Sequence, residues 1–210
     1  MKLANVDARA VLVTGEGRGV DVESASDAHF GPDLSSLFDA WADFTQWASS
    51  LDAKPDVTFD MVQLGSPSPV PRQIFAIGLN YRAHAAESGF AGPVDLPPTF
   101  TKFASSLSGP VTEVTLPAGG KTDWEVELVV VIGRLAHHIS RDDAWDYVAG
   151  VTAGQDLSER IVQLRGPAPQ CRACQVVCVN GHRLGLVRGR GGFGRGTRSR
   201  VGPGPSSSWS

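Results

Sequence analysis

The sequence predicts an α+β fold, a curved sheet of many strands with few helices. Three observations carry this. From residue 74 onward, short apolar segments recur between prolines and glycines, the punctuation expected of short strands. One earlier stretch, 33–51, instead places its apolar residues at helical spacing. One segment, "DWEVELVVVIG" (123–133), joins an acidic pair two residues apart to the apolar run Leu128–Ile132, the strongest strand signal in the chain.

Taken in order, "KLANVDARAVLVTGEGRGVDV" alternates apolar and polar residues around a Gly-rich turn and predicts a hairpin. In 33–51, Leu34, Leu37, Phe38, Trp41, Phe44, Trp47 and Leu51 share one face of a single helix, with Asp33 as its N-cap and the aromatics as core. "GSPSPVPRQ" (65–73) is a Pro/Ser linker. After it, "IFAIGLN" predicts a buried strand and "YRAHAAES" a short helix. "PPTFTKFASSLSGP" and "TEVTLPAGG" predict short strands, and "SRDDAWDYVAG" a helix capped by Ser140. "VTAGQDLSERIVQL" predicts a strand running into a turn.

The 210 residues carry a net charge of −3, an average over two unlike parts. Residues 1–170 hold 12 basic and 22 acidic side chains, net −10, whereas 171–210 hold seven arginines and no acid, +7. All three cysteines lie in the second part. No apolar run approaches membrane length, and "MKLANVDAR" lacks the apolar stretch of a secretory signal. The expected setting is cytoplasmic, without a membrane partner. The acidic body repels phosphate, so no nucleic-acid partner is expected for it.

Two constellations carry chemistry. Glu125 and Glu127, two apart on a strand, share one face. Either both face water on an edge strand, or a hard divalent cation such as Mg²⁺ or Mn²⁺ relieves their repulsion. Asp156 in "GQDLSER" offers a third carboxylate from another strand. His84 and Glu87, three apart on the helix of "NYRAHAAE", either form a solvated face or set up a base, the carboxylate fixing the imidazole tautomer.

These residues lead to a resemblance. "FAIGLNYRAHAAE", "PTFTKF", "DWEVELVVVIGR" and "YVAGVTAGQDLSERIVQ", spanning Ile74 to Gln170, resemble the fumarylacetoacetate hydrolase family in order and spacing. The E-x-E strand followed by D-x-S-[ED]-R is the specific part. The resemblance implies a mixed β-sandwich roll over 74–170, left incomplete, preceded by a small α/β cap over 1–64 and the linker 65–73. It implies a homodimer for an intact member and a Mg²⁺ or Mn²⁺ ion on Glu125, Glu127 and Asp156. It further implies His84 and Glu87 as the catalytic pair, with Gln163 and Lys102 contacting or lying near substrate. The implied activity is metal-dependent C–C bond hydrolysis of β-diketo acids of the acylpyruvate or fumarylpyruvate type, in aromatic or amino-acid catabolism. Isomerisation or decarboxylation of 2-hydroxy-dienoates and oxo-acids on the same site stays open.

The segment after Gln170 raises a separate question. Cys171, Cys174, Cys178 and His182 have a spacing that zinc accepts, and the following Arg/Gly run suits phosphate backbones, so a zinc or nucleic-acid-binding tail is one alternative. The other comes from the resemblance. Family members carry a [GA]-K-S-F motif whose lysine helps stabilise an oxyanion, and Gln175 stands at its place, nineteen residues after Asp156. Read one base later, the codons of "CQVVC" are compatible with Ala-Lys-Ser-Phe. The expectation is therefore a frameshift or truncation after about residue 170, with 171–210 mostly unordered and the chain poorly stable.

Overall fold

The computed structural model describes residues 1–80, 97–165, 175–179 and 184–185, the last two stretches by their backbone. Twelve strands are described: β1 (Lys2–Val6), β2 (Arg9–Gly15), β3 (Arg18–Asp21), β4 (Val57–Thr58), β5 (Leu64–Gly65), β6 (Ile74–Ile77), β7 (Thr99–Lys102), β8 (Leu107–Ser108), β9 (Thr122–Ile132), β10 (Val148–Glu159), β11 (Gln175–Val179) and β12 (Leu184–Gly185). Ten form one sheet, ordered β4-β3-β2-β1-β12-β10-β11-β8, with β5 on β1 and β9 on β10. Its pairs are antiparallel except β8–β11. Strands β6 and β7 form a separate two-stranded sheet. The helices are short: α1 (Val22–Ala25), α2 (Leu34–Asp39), α3 (Trp41–Ser50) and α4 (Arg160–Gln163). The α+β class expected from the sequence, a largely antiparallel sheet with few helices, is what forms.

The N-terminal hairpin becomes two. The first turn is Asp7-Ala8, both at positive φ (48° and 64°), the backbone that matches strand twist in a two-residue hairpin. Neither residue is glycine, so composition does not mark it. The single helix expected over 33–51 is broken at Ala40, whose φ of −118° and ψ of 32° leave the helical region. Asp33 caps its first half as expected, accepting from Ser36 N–H. Beyond the break, Phe44 packs edge-on and Trp47 at a tilt against Phe30, with ring centroids 5.5 and 5.3 Å apart. These rings close a core with Leu3, Ala10, Leu12, Val20, Val22, Leu34 and Leu37. Val131 of β9 and Ala149 of β10 enter that same core, and β5 pairs with β1, so the sheet runs unbroken past residue 64.

Other segments depart from expectation for identifiable reasons. β6 is not buried: Phe75 and Ile77 are exposed, and among the described residues β6 pairs with β7 alone. "TEVTLPAGG" forms no strand. The helix expected around 140–150 reduces to a 3-10 turn at Ala144–Tyr147, although the Ser140 hydroxyl still accepts from Asp143 N–H. The apolar half of β9 is not enclosed on both sides. Val131 is buried, but Trp124, Val126, Leu128, Val130 and Ile132, alternating along the other face, are exposed. Residues 175–179 and 184–185 are strands within the tail expected to be unordered. "QVVCV" is rich in β-branched side chains, and it pairs along the edge of β10 that β9 leaves open.

Candidate active site

The β9–β10 ladder builds the site. Its register sets Asp156 opposite Glu125 and Gly154 opposite Glu127. Directly opposed residues share a face, and so do residues two apart, so all three carboxylates lie on one side of the ladder. Gly154, directly opposite Glu127, places no side chain there. This is the face whose continuation, at Val131, enters the core.

Asp156 and Glu125 are each held by a cationic side chain. Asp156 is buried, and its Oδ2 accepts from Lys102 Nζ at 2.6 Å. Glu125 Oε2 lies 3.1 Å from Arg160 Nη2. As the side chains stand, no three acids or histidines among the described residues form a ready metal cage. The donors nevertheless suit a hard cation. All are carboxylate oxygens, and Asp156 Oδ1 is buried with no hydrogen-bond partner, which costs roughly 1–3 kcal/mol unless something positive satisfies it.

Lys102 is enclosed against the site, not on the surface, and its ammonium also lies 5.3 Å from the Phe100 ring centroid. Gln163, the last residue of α4, accepts from Arg160 Nη1 through its Oε1 at 2.7 Å. His84 and Glu87 lie outside the described residues, as do Cys171, Cys174 and His182. Cys178 is on β11 opposite Gln155, and Gln175 is opposite Ser158, two residues along from Asp156.

Sequence reasoning assigned no role to Arg160, Asp123 or Glu159, and the structure makes them the frame of the site. Arg160 donates to Asp123 Oδ2 from Nε (3.0 Å) and Nη2 (2.7 Å) while it contacts Glu125 and Gln163. Burial pulls the Arg160 pKa down, but the bond to Asp123 and the charges of Glu125 and Asp123 raise it further, so the net shift is upward. The Arg160 bond in turn holds the Asp123 carboxyl below its usual range. Glu159 caps α4, accepting from Ile161 and Val162 N–H and, across the turn, from Lys121 N–H at 2.6 Å. The Lys121 and Val162 amides push its pKa down. A signal was available: Asp123 stands two before Glu125, so period two puts three acids in a row, and such a row calls for a cation such as the arginine that ends "DLSER".

A cleft of about 430 Å³ lies beside Asp123, Trp124, Gln155 and Leu157. A second, of about 400 Å³, lies at Asn5, Leu64 and Ser108, apart from Asp156. Glu125, Glu127 and Asp156 line neither cleft.

Comparison with known proteins gives a consistent result. A crystal structure of an HpcE-like protein from Mycobacterium smegmatis matches 89% of this chain with a TM-score of 0.80 and 49% identity, and the chain covers 67% of that protein. The structure of a Sphingobium maleylpyruvate hydrolase, in complex with manganese(II) and pyruvate, matches with a TM-score of 0.60 and 26% identity over 89% of this chain and 67% of its own. The human mitochondrial oxaloacetate tautomerase FAHD2A is 44% identical over 101 residues, 48% of this chain and 32% of that protein. Human FAHD2B, of the same description, is 36% identical over 152 residues, 71% of this chain and 48% of its own. The chain thus spans about a third to a half of the curated relatives it matches. The family model for the fumarylacetoacetate (FAA) hydrolase C-terminal region matches residues 73–184, past Gln170 and across the whole cysteine–histidine spacing. This chain therefore belongs to the fumarylacetoacetate hydrolase family.

Proposed function

We propose that this chain carries the site of a divalent-cation-dependent hydrolase or isomerase of small oxo-acids. One observation carries the reading: Glu125, Glu127 and Asp156 share a sheet face, and the buried Asp156 holds one carboxylate oxygen without a partner. The manganese and pyruvate named for the maleylpyruvate hydrolase, and the tautomerase activity named for the human relatives, support it.

Glu125, Glu127 and Asp156 are the residues to hold a cation. When bound, Mg²⁺ or Mn²⁺ acts as a Lewis acid toward the oxygens of a 2-oxo acid. Arg160, in contact with Glu125 and bonded to Gln163, ties Glu125 to α4, whose Gln163 is the substrate-facing amide in this reading. His84, oriented by Glu87, is the base. In hydrolysis it takes a proton from water, the water oxygen bonds to the distal carbonyl carbon, and the C–C bond breaks. The proton then passes to the released carbon. In tautomerisation the same imidazole moves a proton between carbon and the enol oxygen. Acylpyruvate-type acids fit the hydrolytic case, and the intact protein is proposed to act as a homodimer in the cytoplasm.

Residues 171–210 are proposed to be an out-of-frame tail. A lysine at position 175 is then the missing oxyanion donor, and Gln175→Lys is expected to raise turnover by about a hundredfold. The reading itself is tested with an acylpyruvate and Mn²⁺. Turnover is expected in the Gln175→Lys protein and is expected to vanish when His84→Ala is added, with Mn²⁺ uptake kept. Turnover that survives His84→Ala removes His84 as the base.

A further inference from the structure

Lys102 and Asp156 form an ion pair whose side chains are only 5% and 7% exposed. The pair joins β7 of the small sheet to β10 of the large one, 54 residues apart in sequence. Enclosing two charges costs several kcal/mol per ion, and well-packed apolar side chains would often join two sheets at least as stably. The pair is therefore weakly explained by fold stability. Its geometry is asymmetric. Lys102 Nζ takes Oδ2 at 2.6 Å, while Oδ1 is equally enclosed and has no hydrogen-bond partner. On the same face stand Glu125, directly opposite, and Glu127, one pleat along.

We infer that Lys102 is a positioning residue for Asp156 and not a substrate contact. Its ammonium holds Oδ2, fixes the plane of the carboxylate and reserves Oδ1 for the cation shared with Glu125 and Glu127. An ammonium this enclosed, in contact with a buried carboxylate, is placed to orient an ion ligand. The inference rests on the metal reading proposed above.

Calorimetric Mn²⁺ titrations of the wild type, Lys102→Met, Asp156→Asn and the double variant test it, each with a thermal melt. Losing an outer partner of a metal ligand weakens metal binding by roughly 10- to 100-fold. Lys102→Met is thus expected to lose about tenfold in Mn²⁺ affinity and Asp156→Asn more. The double variant is expected to bind no more weakly than Asp156→Asn alone, because Lys102 acts through Asp156. In the melts, Lys102→Met is expected to lower the midpoint by about 10 °C, since it strands a buried carboxylate, and the double variant to recover part of that loss. Unchanged or tighter Mn²⁺ binding in Lys102→Met, or additive losses in the double variant, overturns the inference while leaving the metal reading standing. A wild type that takes up no Mn²⁺ contradicts the metal reading itself, and the cation role of Oδ1 with it. Should Lys102→Met fail to fold, Lys102→Gln, which keeps a donor but no charge, carries the same comparison.

Discussion

The N-terminal strands and helices are closed, and the β9–β10 ladder is half open. In the first region the sheet of β1 to β3 is covered by α2 and α3, and Leu3, Val22, Leu34, Leu37 and Phe44 are all but inaccessible. In the second, one face of β9 carries acids and the other leaves Trp124 64%, Val126 72% and Leu128 60% exposed. Both regions are built from alternating strands of similar character, so strand propensity does not separate them. The difference lies in what covers them. The closed region anchors the fold, and the open ladder gains its definition from charge pairing: Lys102 on Asp156, and Arg160 on Asp123 and Glu125.

This contrast can be broken by substitution. Phe44→Ala should have the largest effect, about 3–5 kcal/mol of stability, because it empties the centre of the aromatic cluster around Phe30 and Trp47. Chemical denaturation checks this, and a loss below about 1 kcal/mol would mean that the N-terminal region is not the anchor.

Acid should act next. The Arg9 guanidinium, bonded bidentately, holds the Asp21 carboxyl at about 2, below its ordinary 3.8. A lowered folded pKa contributes stability above the unfolded value and loses it as pH falls through the folded one. The melting midpoint should therefore drop as pH falls from about 4 to about 2. Asp21→Asn, which keeps the cap on Ser24 N–H, should make that drop smaller. An identical acid profile in the variant would place the acid sensitivity elsewhere, with Asp123 and Glu159, whose lowered pKa values have the same sign, as the next groups to substitute.

Leu128→Lys should matter least, within about 0.5 kcal/mol, because its side chain already faces out. A loss as large as that of Phe44→Ala would show that this face is covered in solution and would erase the contrast between the two regions.

The sequence made the carboxylate face legible and its surroundings much less so. Period two is local, so Glu125 and Glu127 on one face followed from spacing alone, and the D-x-S-E-R segment supplied Asp156 from the neighbouring strand. Asp33 was legible as a cap because that bond is made within four residues. The turn at Asp7-Ala8 was hidden because positive φ there falls on residues that do not advertise it. The break at Ala40 was hidden because both halves of the helix keep the same apolar spacing, and only packing on Phe30 and the sheet distinguishes one helix from two. The role of Lys102 was hidden for a different reason. Its partner is 54 residues away, and no local pattern says that a lysine in "FTKF" will be enclosed. Nor does the apolar composition of β9 state which of its faces will be covered.

The claim on which the rest depends is that Glu125, Glu127 and Asp156 together hold a divalent cation. A calorimetric Mg²⁺ titration of the wild type beside Glu127→Ala tests it most directly. One cation per chain is expected in the wild type and no measurable binding in the variant. The same affinity in both proteins would contradict it.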